Sequence, residues 1–198
     1  MRNIRVYLEA PLASALAHGR KLALPAPAAQ HVIKVLRLRS GTAITIFDGR
    51  GGEYRARLEI AGRGEAWVEL EEHLAIERES PLQITLLQGL SRGERMDWVM
   101  QKATELGARR IVPIMTERTV VEIDHDSTKI GKWRAIAIES IKQCGSPWLP
   151  KIDAPIEFRE AVRQIGKFAL VASLHEGAKE IHEYFAGGET KIQIWVDR

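Results

Sequence analysis

Apolar and polar positions alternate through the first third of the chain. Over residues 53–60 apolar side chains alternate with charged ones, and this period of two predicts a strand that buries Tyr54 and Leu58 on one face. Similar runs predict strands near 42–48 and 65–71. The glycine-rich stretches DGRGG and AGRG supply the turns between them. Short strands joined in this way favour a small β-barrel.

A short helix is predicted just before these strands, within AAQHVIKVLRLRSG. Val32, Val35 and Leu36 share one face at helical spacing, so we expect them to be buried together. The basic residues of the same segment are expected to lie on the outside, namely Lys34, Arg37 and Arg39.

Beyond the charged segment EHLAIERESPL the pattern changes to strands that alternate with helices. The run LQITLLQGL, residues 82–90, is almost continuously apolar, as expected for a strand covered on both faces. The further elements predicted in order are a helix 93–106, a strand 109–115, helices 127–143 and 156–165, a strand 167–173, a helix 178–185 and a strand 191–196. This order predicts a mostly parallel sheet. The sequence therefore divides into a β domain, residues 1–72, and an α/β domain, residues 73–198.

Composition adds modest constraints. The chain has 198 residues and a net charge of +3, with 11 Lys and Arg against 6 Asp and Glu in residues 1–70, and 18 against 20 in the remainder. The basic first third hints at a polyanionic partner. A single cysteine, Cys144, suits a cytoplasmic protein without disulfides. No apolar run is long enough to span a membrane, so we expect no membrane partner.

The stretch LLQGLSRGERMDWVMQKATELG runs from the apolar strand directly into the next helix. Ser91 and Glu94 have the spacing of a capping box, which predicts a tight start to the helix. One helix face is expected to pack on the sheet and consists of Met96, Val99, Met100, Ala103 and Leu106. Arg92 and Arg95 would then lie near the positive end of the helix dipole and form an anion site for RNA phosphate. The alternative is an ordinary capped helix with a solvated polar face.

Other signals favour structural roles. Cys144 lacks a neighbouring base and is expected to pack rather than act as a nucleophile. The acidic run VEIDHD has adjacent carboxylates that rarely converge on one ion, so a solvated loop is favoured and no metal site is predicted. No strand–GxGxxG–helix unit or P-loop is present, which argues against an enzyme of another class that binds NAD or a nucleoside triphosphate.

Several of these segments resemble a known family. They are RVYLEAPL, HVIKVLRLRSG, IFDGRGGEYRARL, the block from LLQGLSRGERMDWVMQKATELG to TERTVV, and KWRAIAIESIKQCGSPWLPKI. In this order the chain resembles the RsmE family of 16S rRNA (uracil-N3)-methyltransferases, in the SPOUT superfamily. The resemblance implies a PUA-like RNA-binding β-barrel followed by an α/β-knot domain. It also implies S-adenosyl-L-methionine as cofactor, 16S rRNA or the small ribosomal subunit as partner, and a homodimer in the cytoplasm.

The resemblance also assigns candidate residues, while the catalytic residue stays unknown. The RNA-binding candidates are Arg5, His31, Lys34, Arg37, Arg39, Arg92, Arg95 and Lys102. The loop ASLHEGA after the strand 167–173 resembles a cofactor-side loop, and its candidates are Leu174, His175 and Glu176.

One difference from the family pattern concerns the cofactor. In the family the strand matching KIQIWV leads into a GPEGG-type loop and, later, an LGPR-LRTETA-type segment, whereas the sequence given ends at WVDR. We therefore expect weak or no S-adenosyl-L-methionine binding by these 198 residues alone. The competing hypothesis is a non-catalytic RNA-binding protein, and a glycine-rich loop after Arg198 would favour the enzyme.

Overall fold

The computed structural model describes the chain apart from residues 1–3, 20, 118, 120–126, 167, 174, 185–189 and 197–198. It consists of two compact units. The first comprises Met1–Arg78 together with Gly145–Trp148, and the second comprises Glu79–Cys144 and Leu149–Arg198. The predicted boundary lay at 72/73, whereas β5 continues to Leu74 and the first unit to Arg78. The return of residues 145–148 to the first unit has no signature in the sequence.

The first unit is built on one five-stranded sheet with the order β1-β3-β4-β5-β2. Its elements are β1 Arg5–Tyr7, α1 Leu12–His18, β2 Lys21–Ala23, α2 Ala26–Gln30, a π-helical turn His31–Val35, β3 Ala43–Phe47, β4 Glu53–Ile60, a 3-10 turn Gly62–Gly64 and β5 Ala66–Leu74. β1 runs parallel to β3, and the remaining pairs are antiparallel.

The period-two prediction is confirmed in β4 and β5. Tyr54 and Leu58 of β4 are buried, as are Val68 and Leu70 of β5, and they join one apolar core. Leu12 of α1 is fully buried in the same core, so the helix closes over the sheet.

The second unit is an α/β domain on a parallel six-stranded sheet with the order β10-β11-β6-β7-β8, in which β9 also pairs with β7. Its elements are β6 Gln83–Gly89, α3 Glu94–Glu105, β7 Arg110–Met115, α4 Ser127–Cys144, β8 Lys151–Ile152, β9 Ile156–Glu157, α5 Phe158–Arg163, β10 Ala169–Ala172, a 3-10 turn Ile181–Tyr184 and β11 Lys191–Val196. Most of the predicted strands and helices occur in the predicted order, although the short strands β8 and β9 were not predicted. The predicted helix 178–185 is instead the short 3-10 turn.

Both faces of this sheet are covered. On β7, Ile111 packs with α3 and α4, whereas Val112 and Ile114 face the opposite core beside Ala161 of α5 and Trp195 of β11. This double burial explains why the strands read as continuous apolar runs. Within the described residues, no helix combines the length and apolar composition that crossing a membrane requires.

Pro113 lies in the middle of β7, where a residue without an N–H usually weakens a sheet. Residues 110–111 of β7 pair with β8 and residues 114–115 pair with β9. Pro113 therefore falls at the gap between these two short strands, where the ladder is already interrupted.

Candidate functional site

The carboxyl edge of the parallel sheet brings together three turns of the second unit. Ala172 of β10 is level with Val196 of β11, which in turn is level with Gln88 of β6. Neighbouring strands lie about 4.8 Å apart, so the chain leaves β10 and β6 about 10 Å from each other at this edge. Ligands of open α/β sheets bind beyond such an edge.

The turn after β6 carries the predicted anion site. Arg92 and Arg95 are exposed, and neither side chain has a hydrogen bond or ion pair within the described part of the unit. Arg95 lies in the first turn of α3, where the helix dipole favours an anion. These two guanidinium groups are therefore available to a phosphate or to a developing oxyanion.

The predicted capping box is wrong. Gly93, not Ser91, is the N-cap residue of α3, and no side chain caps the helix. Gly93 has a φ of 53° and a ψ of −131°, a conformation that is strained for any residue with a Cβ. This glycine turns the chain sharply from β6 into α3, and that turn places Arg92 at the strand end.

The two faces of α3 follow the prediction with one exception. Met96, Met100 and Ala103 are buried on the sheet side, whereas Leu106 is 81 % exposed. Gly107 has a φ of 83° and ends the helix, and Ala108 N–H donates to Ala103 O at 2.9 Å, as in a common helix-ending motif. Leu106 is the C-cap residue, where the helical repeat no longer sets its direction.

Lys102 differs from the other predicted RNA contacts of this unit. Its Nζ donates to Glu105 Oε2 at 2.7 Å, and Gln101 Nε2 donates to Glu105 Oε1 at 2.9 Å. These hydrogen bonds, led by that of Lys102, lower the pKa of Glu105. The ammonium group thus already has a carboxylate partner, and the predicted RNA contact of Lys102 has no support from this geometry.

The turn after β7 adds polar groups that were not among the predicted site residues. Thr116 N–H donates to Thr119 Oγ1 at 2.8 Å, and Thr119 N–H donates to Thr116 O at 2.8 Å. The two threonines hold a tight turn around exposed Glu117. The two threonines of the sequence TERT, three residues apart, are the feature from which this turn could have been predicted.

The turn after β10 carries the predicted cofactor residues. His175 and Glu176 are exposed, His175 N–H donates to Ser173 Oγ at 3.1 Å, and Gly177 has a φ of 92°. Leu174 lies outside the described residues. A groove of about 740 Å³ opens beside this turn, and its lining includes Leu170, Ser173, Ala178, Lys179, Ile181 and Tyr184.

In the first unit, Arg5 belongs to a buried ion-pair cluster. Arg5 Nη2 lies 2.9 Å from Glu53 Oε1, and the two side chains are only 10 % and 1 % exposed. The Arg5 guanidinium also stacks on Phe47, 4.2 Å from the ring centre, and donates to Ser146 O at 3.1 Å. This packing leaves little of Arg5 for a ligand, so its predicted RNA contact has no support in the structure.

Arg78 completes this cluster from the opposite side. Its Nη1 lies 2.7 Å from Glu53 Oε1 and donates to Gly145 O at 3.1 Å. The hydrogen bond that Arg78 donates to the Glu53 carboxylate raises the pKa of Arg78. Residues 145–148 are held further by Trp148, whose indole N–H donates to Glu77 Oε2 at 2.6 Å, and by Gly51 N–H, which donates to Pro147 O at 3.0 Å.

The other predicted RNA contacts of this unit form what we call the basic turn, residues 31–39. His31, Lys34, Arg37 and Arg39 are all exposed there. Among the described residues, no hydrogen bond or ion pair engages the side chains of Lys34, Arg37 and Arg39. By contrast, the strand cations Arg55 and Arg57 pair with Glu72 and Glu71 at 2.8 Å and 2.7 Å.

The predicted apolar face of this segment is only partly correct. Val32 is fully buried, whereas Val35 is 67 % and Leu36 37 % exposed. The turn is π-helical over His31–Val35 rather than α-helical, and the wider turn rotates these residues away from the core. Arg37 then has a φ of 52°, the only positive φ recorded for a residue other than glycine in the described chain. That left-handed conformation costs about 1–2 kcal/mol for a residue with a Cβ.

Two further predictions concern Cys144 and the acidic segment VEIDHD. Cys144 is exposed and unpaired rather than packed. The acidic segment VEIDHD lies outside the described residues, and among those described no group of three or more His, Cys, Asp or Glu could hold a metal ion.

The fold and these sites define a two-domain protein of the α/β-knot (SPOUT) class, with a PUA-like first domain. The chain belongs to the RNA methyltransferase family, since its RNA methyltransferase domain model matches residues 78–196. The model of the RNA methyltransferase PUA domain matches residues 24–71.

Curated relatives agree with this assignment. Ribosomal RNA small subunit methyltransferase E of Synechocystis sp. is 34 % identical over 132 residues, which cover 67 % of this chain and 42 % of that protein. The protein of the same name from Bacillus subtilis is 26 % identical over 153 residues, covering 76 % and 60 %. The chain thus spans about half the length of the curated relatives it matches.

Solved structures share the whole fold. Ribosomal RNA small subunit methyltransferase E from Neisseria gonorrhoeae, bound to S-adenosyl methionine, has a TM-score of 0.82 and 30 % identity over 98 % of this chain and 80 % of that one. A Legionella pneumophila protein in complex with the bound cofactor SAM has a TM-score of 0.85 and 33 % identity, covering 99 % and 80 %.

Proposed function

We propose that this protein transfers a methyl group from S-adenosyl-L-methionine to N3 of a uridine in 16S rRNA. The observation that carries the proposal is the carboxyl edge of the second unit. There the unpaired Arg92 and Arg95 and the His175–Glu176 turn follow strands whose ends are level. The relatives named above support the same reaction class.

The RNA is expected to be held by cations whose side chains have no hydrogen bond or ion pair among the described residues. In the first unit these are Lys34, Arg37 and Arg39, with His31 beside them. Contacts of this kind to phosphates displace counterions, so binding should weaken steeply with salt. Arg92 and Arg95 would provide the corresponding contacts in the second unit.

The chemistry requires an exposed uracil base whose N3 loses its proton. When bound on the side of Ser173, His175 and Glu176, the cofactor would supply a methyl group activated by a sulfonium, and the N3 proton would pass to solvent. Arg92 or Arg95 stabilises the negative charge that develops on the uracil oxygens when the N3 proton leaves. Holding N3 in line with the methyl carbon supplies much of the remaining barrier reduction.

The residues at the carboxyl edge fit part of this cofactor. Glu176 offers a carboxylate to a cationic ligand, and the glycine at position 177 permits close approach of the backbone. The adjoining groove, about 740 Å³ and lined largely by apolar side chains, has the volume of a small-ligand site. Ser173, His175 and Glu176 are the residues we assign to the cofactor side.

The test uses the full-length protein with labelled cofactor and small-subunit rRNA, and mass spectrometry of the digested product. We expect N3-methyluridine, and we expect Arg95→Ala to reduce kcat/KM about 100-fold through lost charge stabilisation. Arg163→Ala, an exposed arginine of α5, is the matched control and should behave as wild type. RNA binding without any methyl transfer would instead favour the non-catalytic RNA-binding protein.

We further propose that the protein is a homodimer that acts in the cytoplasm, where its rRNA substrate is made. Trp98 is 62 % exposed and Leu106 81 % exposed on α3, and such apolar side chains are suited to a subunit interface. Light scattering should give twice the chain mass, and Trp98→Glu should give a monomer. A wild-type mass of one chain would contradict the dimer, and localisation can be checked by cell fractionation.

A further inference from the structure

The basic turn places a residue other than glycine, Arg37, in a strained left-handed conformation. Leu38 N–H donates to Val32 O at 3.0 Å and Leu36 N–H donates to His31 O at 2.9 Å, so the π-helical turn closes through a left-handed Arg37. Glycine adopts that conformation without strain and is common where a helix ends this way. A turn of this shape therefore does not need arginine.

Contacts with the described residues do not explain why position 37 is an arginine. It is exposed and makes no hydrogen bond or ion pair with the described residues. Backbone strain at a residue other than glycine clusters at functional sites, as do π-helical turns. The exposed side chain of Arg37 is therefore a candidate for contact with a ligand.

The same turn exposes two apolar side chains. Val35 and Leu36 are 67 % and 37 % exposed, and the unpaired Lys34 and Arg37 adjoin them in sequence. The preceding Val32 is fully buried and anchors the turn to the core, so the exposed pair is held in place rather than on a free loop.

We infer that the basic turn is a preformed site for an unstacked nucleotide of single-stranded RNA. Lys34, Arg37 and Arg39 contact phosphates on either side, while Val35 and Leu36 pack against the face of the base. A base in an A-form duplex is stacked on its neighbours and its face is hidden, so a duplex offers only phosphates to this surface. The inference rests on the proposed function, which requires an RNA segment with an exposed uridine, and adds the form of RNA and the apolar contact.

Charge favours RNA over other occupants of this surface. A second copy docked symmetrically on the turn would bring two sets of unpaired cations together, and like charges in a contact are repulsive. Two carboxylates of β5, Glu72 and Glu71, are engaged by Arg55 and Arg57, whereas no described carboxylate pairs with the cations of the basic turn.

The test measures binding of a fluorescent single-stranded RNA, and of the same sequence as a duplex, by anisotropy over a range of salt. It uses the full chain without cofactor. For Arg37→Gly we expect an unchanged or higher melting temperature, at least threefold weaker binding, and a logarithmic salt slope reduced by about 0.7. Arg37→Lys should keep the slope.

Val35→Ser isolates the apolar contact. It should weaken binding of the single strand at least threefold without changing the salt slope, and should leave duplex binding unchanged. The matched control is Val171→Ser, which removes an equally exposed valine of the second unit. Wild-type binding by Val35→Ser, or equal losses on both forms of RNA, would overturn the inference.

This assay is separate from the proposed reaction. If the variants behave as expected but the full-length protein forms no N3-methyluridine, the nucleotide site stands and the proposed function fails. If methylation occurs while Arg37→Gly and Val35→Ser bind as wild type, the function stands and the site fails.

Discussion

Two groups of cations in the first unit illustrate opposite uses of arginine. Arg5 and Arg78 converge on the buried carboxylate of Glu53, and the carbonyls of residues 145–146 accept their remaining hydrogen bonds. Arg37 and Arg39 lie on an exposed turn without any partner among the described residues. The difference is set by the neighbouring carboxylates rather than by the arginines. A satisfied guanidinium organises the protein, and an unsatisfied one is left for a ligand.

The largest expected effect comes from removing the charge at the centre of the paired group. Glu53→Gln keeps the shape of the side chain but leaves the nearly buried Arg5 without its counter-ion. Breaking a buried pair in this way should lower the free energy of unfolding by about 3 kcal/mol. Urea unfolding followed by tryptophan fluorescence measures it.

Glu72→Gln is the matched control, because the Arg55–Glu72 pair is about half exposed on both sides. Such a pair contributes only about 0–1 kcal/mol. Equal losses at positions 53 and 72 would remove the distinction between the buried cluster and an ordinary surface pair.

A smaller loss of stability is expected from a substitution at Gly51, where residues 145–148 pack against the rest of the first unit. A Cβ at Gly51 would lie 2.4 Å from Trp148 Cζ2, and Gly51 also has a φ of 94°. Gly41 has a φ of 86° with nothing within 4 Å, so Gly41→Ala reports backbone strain alone. Gly51→Ala should therefore cost about 1–3 kcal/mol more than Gly41→Ala through overpacking. Equal melting temperatures for the two variants would contradict the close packing of Trp148.

The unpaired group should affect RNA binding and not stability. Arg39→Ala should reduce the logarithmic salt slope for single-stranded RNA by about 0.7, since one phosphate contact is lost. Arg55→Ala, which removes an exposed cation of the same unit that is already paired, should leave the slope unchanged. A slope that falls equally in both variants would show that the Arg55–Glu72 pair opens to RNA.

The smallest expected effect concerns the paired Lys102 of the second unit. The pKa of Glu105 is lowered by its hydrogen bonds to Lys102 and Gln101. The stability this carboxylate contributes is thus present above its unfolded pKa of 4.5 and is lost as pH falls through the lower folded value. Glu105→Gln should therefore lower the melting temperature slightly near neutral pH, where that contribution is present, and should match wild type at a pH below the folded pKa of Glu105. Carboxyl titration by NMR provides the direct measurement.

The strands could be predicted from the sequence because burial on one face, or on both, imposes a local pattern of apolar and polar residues. The contrast between Tyr54 with Leu58 and their charged neighbours needs no knowledge of the partner strand. The predicted burial of Val35 and Leu36 was wrong because it assumed an α-helical repeat of 3.6 residues, which a π-helical turn does not follow. The prediction that Ser91 caps α3 was wrong because the helix begins after Gly93, whose backbone conformation makes it the N-cap residue.

The site was predictable only in part for a similar reason. The sequence identified which cations exist, and the resemblance indicated which to choose, but neither revealed their partners. Glu53 is 48 residues from Arg5, and only the fold brings them together. Lys102 and Glu105 are close in sequence, and their spacing on one helix was the available signal for a paired lysine.

The return of residues 145–148 to the first unit has a consequence for the history of the gene. A barrel that obtains part of its structure from a loop encoded far downstream is not a cassette that recombination can transplant whole. An exchange at residue 78 would deliver a barrel lacking the carbonyls and the indole that complete it. We expect the two domains to have been inherited together, with later divergence proceeding by substitution rather than by shuffling.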